Sequence, residues 1–87
     1  MIRPEQCAKE EVLVPAVKAG GIKEVRVSFL ENENVFIVAV EIKRTGESLY
    51  LATRRNPHEP RKFKRVDVAI AATAKLIDAK KFTVTLE

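Results

Sequence analysis

The stretch VFIVAVEI, residues 35–42, decides how the rest of this chain folds. It is β-branched and aromatic and contains neither Gly nor Pro, so it predicts a strand. Its side chains are apolar on both faces, which places it at the centre of a sheet. One face carries Phe36, Val38, Val40 and Ile42, and the other carries Val35, Ile37 and Ala39.

Two further strands are predicted on either side of this stretch. Residues 23–29, KEVRVSF, alternate apolar and polar side chains, and residues 48–54, SLYLATR, place Leu49 and Leu51 on one face. The connection before residue 35 contains Asn32 and Asn34, and the connection after residue 42 contains Gly46; these residues are typical of tight turns. Short connections pair sequential strands, so the three strands predict an antiparallel meander.

The period of the apolar residues changes at Val66. Residues 66–79, VDVAIAATAKLIDA, have helical spacing, and Asp67 stands where a carboxylate could cap the first turn. Residues 82–87, FTVTLE, return to alternation and predict a fourth strand with Phe82, Val84 and Leu86 inward.

The first twenty residues carry the weakest pattern. We expect helical character within residues 5–19, with Pro15 as a possible first helical position and Gly20 or Gly21 at the end; residues 12–14 are an alternative edge strand. The predicted fold is therefore α+β: a weak N-terminal helical segment, a three-stranded antiparallel meander, a helix and a fourth strand. The length of 87 residues predicts a single domain, 1–87.

A single layer of helix covers only one face of the central strand. The other face must meet the N-terminal segment, another subunit or water, and exposed apolar faces often mark interfaces. One hypothesis is therefore a homodimeric interaction module, with an interface at Val35, Ile37, Ala39 and Tyr50.

Composition narrows the classes of function. A single cysteine, Cys7, forms no intramolecular disulfide and fits a reduced, cytoplasmic setting, and no apolar run reaches the length of a membrane span. One cysteine and one histidine, His58, do not make a metal site, and no predicted strand holds Cys7 in place as a nucleophile. We therefore expect a protein that is not an enzyme and that has no metal or other cofactor.

The charge distribution is uneven. The chain has 16 basic and 12 acidic residues, but residues 53–65, TRRNPHEPRKFKR, hold six bases and one acid. This basic segment carries +5 and the remaining residues carry −1. Its position before a helix N-terminus favours phosphate, which predicts a nucleic-acid-binding surface for DNA or RNA. The predicted contacts are Arg54, Arg55, Arg61, Lys62, Lys64 and Arg65; a solvated loop anchored by Phe63 is the alternative.

Two resemblances accompany this interpretation. The order of a helix, three antiparallel strands and a basic-led helix resembles the double-stranded RNA-binding domain, with its phosphate-gripping positions at Arg61, Lys62, Lys64 and Arg65. Residues 48–87 are similar to short uncharacterised bacterial proteins, some of them plasmid- or integrative-element-borne. The shared pattern is R-x-F-x-x-x-D-x-A, formed here by Arg61, Phe63, Asp67 and Ala69. This similarity implies a DNA-associated accessory role.

Overall fold

The computed structural model describes residues 3–77, 79 and 81–85 and contains a five-stranded mixed sheet with two helices. A 3₁₀ turn at Pro4–Gln6 precedes the first strand. The elements in chain order are β1 (Cys7–Lys9), α1 (Glu10–Gly20), β2 (Ile22–Leu30), β3 (Val35–Ile42), β4 (Ser48–Ala52), α2 (Val66–Leu76) and β5 (Phe82–Thr85). Of the three residues predicted to point inward in this last strand, Phe82 is half-buried, Val84 is 41% exposed and therefore wrongly predicted, and Leu86 lies outside the described residues.

The predicted fold class is wrong in its sheet. The strand order is β1-β4-β3-β2-β5, and although β2, β3 and β4 pair antiparallel, β1 joins β4 in parallel and β5 joins β2 in parallel. Each helix therefore crosses from a strand to a distant parallel strand, α1 from β1 to β2 and α2 from β4 to β5. A helical crossover is what parallel strands require, and a meander of hairpins cannot supply it.

The N-terminal prediction is also wrong in part. Helix α1 is present, but Pro15 lies in its interior rather than at its first position, and residues 12–14 are helical rather than an edge strand. The edge strand is Cys7–Lys9, which the sequence pattern placed in the helical segment. Gly21 ends α1 with φ of +76°, and its N–H donates to the Val17 carbonyl at 2.8 Å.

The hydrophobic core lies between the sheet and both helices. Leu13 and Val17 of α1 and Ala69 and Thr73 of α2 are buried at a spacing of four residues, which puts each pair on one helical face. Thr73 satisfies its buried hydroxyl by donating to the Ala69 carbonyl at 2.9 Å. The sheet contributes Val25, Val27, Val38, Val40, Ile42 and Leu51 to the same cluster. Within the described part of the chain, neither helix is long and apolar enough to cross a membrane.

The other sheet face is not covered by the N-terminal helix, because α1 packs on the same face as α2. Ile37 and Ala39 nevertheless expose only 2% and 5% of their surface. Ala39 lies between Arg26 of β2 and Tyr50 of β4, whose longer side chains flank it. The central part of this face is therefore already buried within one copy of the chain.

Candidate nucleic-acid interface

The basic segment, residues 53–65, is an excursion out of the sheet between β4 and α2. The chain leaves the sheet after Ala52 and returns where the N–H of Arg61 donates to the Leu51 carbonyl at 2.7 Å. Two residues on, Phe63 pairs antiparallel with Phe36, the second residue of β3. The returning chain is thus held by backbone hydrogen bonds to two strands, and it delivers the last bases of the segment to the start of α2.

Phe63 anchors the segment, as the sequence predicted. It exposes only 4% of its surface and belongs to the core cluster, whereas the residues on either side of it, Lys62 and Lys64, are exposed. Alternation along an extended chain explains this pattern, because neighbouring side chains point in opposite directions. The Arg61 guanidinium carbon lies 4.7 Å from the centre of the Phe63 ring, within the range of a cation–π contact.

All six predicted contact residues are exposed, but three of them form ion pairs. Arg54 donates to Glu11, with Nε–Oε1 and Nη2–Oε1 distances of 2.8 and 2.6 Å. Arg65 donates to both carboxylate oxygens of Asp67, at 3.1 and 2.9 Å. Lys62 donates to the Glu33 carboxylate in the turn between β2 and β3.

Arg55 and Lys64 differ from these three. Among the described residues, no carboxylate lies within 4.0 Å of either side chain. Arg61 has no such carboxylate either, but its guanidinium lies over the Phe63 ring, so Arg55 and Lys64 are the bases of the segment that are most available to an added anion.

The ion pairs perturb the groups that form them. The hydrogen bond from Arg54 is the main reason why the pKa of Glu11 lies below its ordinary value. The hydrogen bond to Glu33 is the main reason why the pKa of Lys62 is raised. All three pairs are exposed to solvent, so salt screens them, and their net contribution to stability is small. A phosphate could therefore replace a carboxylate partner at little cost.

The N-terminus of α2 lies directly after Lys64. Arg65 is the N-cap residue, and no side chain caps the first turn. The expected capping role of Asp67 is wrong, because its carboxylate accepts from the Arg65 guanidinium instead. The free N–H groups of a first turn, with the positive end of the helix dipole, favour an anion.

The fold places acidic residues from other parts of the chain beside the basic segment. The charge count over residues 53–65 did not include them. Strands β1, β2 and β4 all end at this end of the sheet, so the first turn of α1 and the turn after β2 lie there too. Lys9, at the end of β1, joins the six bases of the basic segment, so seven bases lie at this end of the sheet. The acids at this end are Glu10, Glu11, Glu31, Glu33, Glu59 and Asp67. The described charges at this end therefore nearly balance, and the local excess of +5 does not persist in three dimensions.

The predicted interface residues are placed differently. Val35 and Tyr50 are half-buried, whereas Ile37 and Ala39 are buried within the chain and offer little area to a partner. Self-association through this face stays a prediction, and light scattering at high protein concentration tests it.

Cys7 is held in the structure, contrary to the expectation that it has no strand around it. It begins β1 opposite Tyr50, and it lines a surface groove together with Pro57 and His58. Burial, and to a lesser extent the Glu59 carboxylate, raise the pKa of its thiol, which disfavours the nucleophilic thiolate. Among the described residues, no group of three or more His, Cys, Asp or Glu side chains could hold a metal ion.

Fold and site together define a small α+β protein with a mixed sheet and an exposed basic excursion next to a helix N-terminus. Comparisons with protein-family models, with curated proteins and with solved structures returned no match. The two resemblances noted in the sequence therefore stay predictions.

Proposed function

We propose that this is a cytoplasmic, non-enzymatic accessory protein that binds the phosphate backbone of nucleic acid through residues 54–65. The observation that carries the proposal is the row of six exposed bases leading into the uncapped N-terminus of α2. Arginine and lysine next to free backbone N–H groups form the usual protein environment of a phosphate.

Arg55 and Lys64 make the primary contacts in this proposal, because they can meet a phosphate without giving up a carboxylate. Arg54, Lys62 and Arg65 exchange their exposed partners for phosphates as the nucleic acid approaches. Each such exchange releases a carboxylate next to the bound anion, so affinity depends strongly on salt and is modest.

The test is the binding of fluorescent duplex DNA, single-stranded DNA and duplex RNA, measured by anisotropy at increasing salt concentrations. We expect log K to fall linearly with log salt, and Lys64→Glu and Arg55→Glu each to make the slope shallower by about one. Arg3→Glu is the matched control, since Arg3 is also exposed and lies outside the segment. Absence of salt-dependent binding to all three nucleic acids would sink the proposal.

Reversing the charges of both Arg61 and Lys62 tests binding less selectively, because each substitution also changes a contact within the protein, although both residues are predicted contacts. Lys62→Glu also places a second carboxylate beside Glu33, and Arg61→Glu removes the cation over the Phe63 ring. Thermal melting of this double variant must accompany its binding measurement.

A further inference from the structure

Among the described residues, those at the end of the sheet opposite to the basic segment carry a larger net positive charge than those beside it. Both helices end there, β2 and β5 begin there, and the turn between β3 and β4 lies there. We call this the helix-end surface and define it by its six exposed bases: Lys18, Lys23, Lys43, Arg44, Lys75 and Lys81. Three described acids, Glu24, Glu41 and Glu47, lie at the same end, which leaves +3.

Contacts at this end bring bases of α1, α2 and the turn between β3 and β4 together. The N–H groups of Lys43 and Arg44 donate to the carbonyls of Gly21 and Gly20, each at 3.0 Å, so the turn lies against the end of α1. Lys18 and Leu76 line one groove at the helix ends, which places the last turn of α2, with Lys75, beside the last turn of α1. Lys18, Lys43, Arg44 and Lys75 therefore lie close together at the helix ends.

The ion pairing at this end differs from that of the basic segment. Lys23 contacts Glu41 at 3.4 Å, and Arg26 also approaches Glu41, at 3.9 Å. Among the described residues, no carboxylate lies within 4.0 Å of Lys18, Lys43 or Arg44. Three bases of the helix-end surface thus have no described carboxylate partner, as many as in the basic segment, but three described acids lie at this end rather than six.

The two basic surfaces face away from each other. Strand β3 runs from Phe36, beside the basic segment, to the turn at Lys43, and seven residues of strand span about 23 Å. This separation exceeds the Debye length of about 8 Å at physiological salt, so the two surfaces act as independent anion sites.

We propose that the helix-end surface is a second site for a nucleic-acid phosphate backbone, so that one copy of the chain bridges two nucleic-acid segments. The inference rests on the proposed function, because it adds a second site to the same ligand. Two copies of the chain, each bound through its basic segment, could also bridge two nucleic-acid segments. The experiment below distinguishes this alternative from bridging by one copy.

The experiment measures capture of a fluorescent duplex DNA by a second, bead-immobilised duplex in the presence of the full chain. We expect wild-type protein to capture it, and Lys43→Glu/Arg44→Glu to reduce capture to the no-protein level. The same variant should still bind a single duplex, with an apparent Kd changed by no more than about twofold, because the basic segment remains. Arg55→Glu/Lys64→Glu should also abolish capture, from the other end.

A second variant guards against misfolding. Lys18→Gln/Lys75→Gln removes two charges from the same surface through the helices, and we expect it to lower capture while thermal melting stays cooperative. Arg3→Glu, outside both surfaces, should capture like wild type.

Three results of this experiment would contradict the second site or the proposed function. Capture that survives Lys43→Glu/Arg44→Glu overturns the inference and points to bridging by two copies. Single-duplex binding by wild type without capture also overturns it and leaves the proposed function standing. Failure of wild type to bind duplex DNA, single-stranded DNA and duplex RNA alike removes the proposed function and the inference together.

Discussion

Phe63 and Phe36 exchange a pair of backbone hydrogen bonds: the Phe36 N–H donates to the Phe63 carbonyl at 2.6 Å, and the Phe63 N–H donates to the Phe36 carbonyl at 2.8 Å. This pairing brings the chain back to the sheet after the excursion at residues 53–62. Phe36 also contacts Phe29 of β2, with ring centroids 5.0 Å apart. Phe63 is consequently the residue of the basic segment whose side chain enters the core, and the backbone hydrogen bonds of Arg61 and Phe63 set the position of the cations around it.

Phe63→Ala should therefore lower the free energy of unfolding by about 3–5 kcal/mol, the usual cost of removing a buried aromatic ring. Phe63→Leu should cost less, since it keeps most of the apolar volume. Urea denaturation measures both, and Val68→Ala, at a valine that is 47% exposed, should change stability by less than about 0.5 kcal/mol. Equal effects at Phe63 and Val68 would contradict the anchoring role.

Gly20 is required by close packing rather than by its backbone angles. A Cβ on Gly20 would lie 2.5 Å from the Cγ2 of Ile42, and Ile42 is buried and cannot move aside. Alanine normally favours a helix over glycine by about 1 kcal/mol, but overpacking of this kind costs about 1–3 kcal/mol. Gly20→Ala should therefore destabilise the protein in thermal melts. Ala19→Gly, at the exposed neighbouring position, is the control, and it should destabilise the protein through helix propensity alone. A Gly20→Ala variant that is more stable than wild type would refute the packing argument.

The parts of the fold that could be predicted are those with a local period. The alternation in β2 and β4 and the apolar run of β3 identify three strands, and the helical spacing of apolar residues from Val66 to Ile77 identifies α2. Strand β1 could not be predicted in the same way, because it has three residues and only Ala8 is buried. Its existence depends on pairing with β4, more than forty positions away in the chain.

The candidate site shows the same division. The six bases of the basic segment are visible in a short window of sequence, and their exposure follows from their chemistry. Their partners are not visible: Glu11 is 43 positions from Arg54, and Glu33 is 29 positions from Lys62. The helix-end surface was missed for the converse reason, since its bases are scattered from Lys18 to Lys81 and only the sheet order brings them together.

The Arg54–Glu11 pair predicts a specific pH response. Because the folded-state pKa of Glu11 lies below its ordinary value, the pair stabilises the fold above that ordinary value, and this contribution is lost as the pH falls through the folded-state pKa. Arg54→Gln should therefore raise the pKa of Glu11 towards its ordinary value, as measured by NMR titration of the side-chain carboxyl carbon. Arg55→Gln is the control and should leave the titration of Glu11 almost unchanged. If both substitutions move the pKa equally, general positive potential rather than the pair holds it down.

The contact between β1 and the basic segment can be followed through the reactivity of Cys7. Burial is the larger cause of its raised pKa, and the Glu59 carboxylate is the smaller one, acting by repulsion of the thiolate. Glu59→Gln should therefore lower the pKa of Cys7, raise the fraction of thiolate at a given pH and accelerate alkylation by iodoacetamide. Glu5→Gln, on the same groove, should have a weaker effect. Alkylation rates measured from pH 7 upward through the titration of the thiol give the pKa, and an unchanged pKa in Glu59→Gln would show that burial alone raises it.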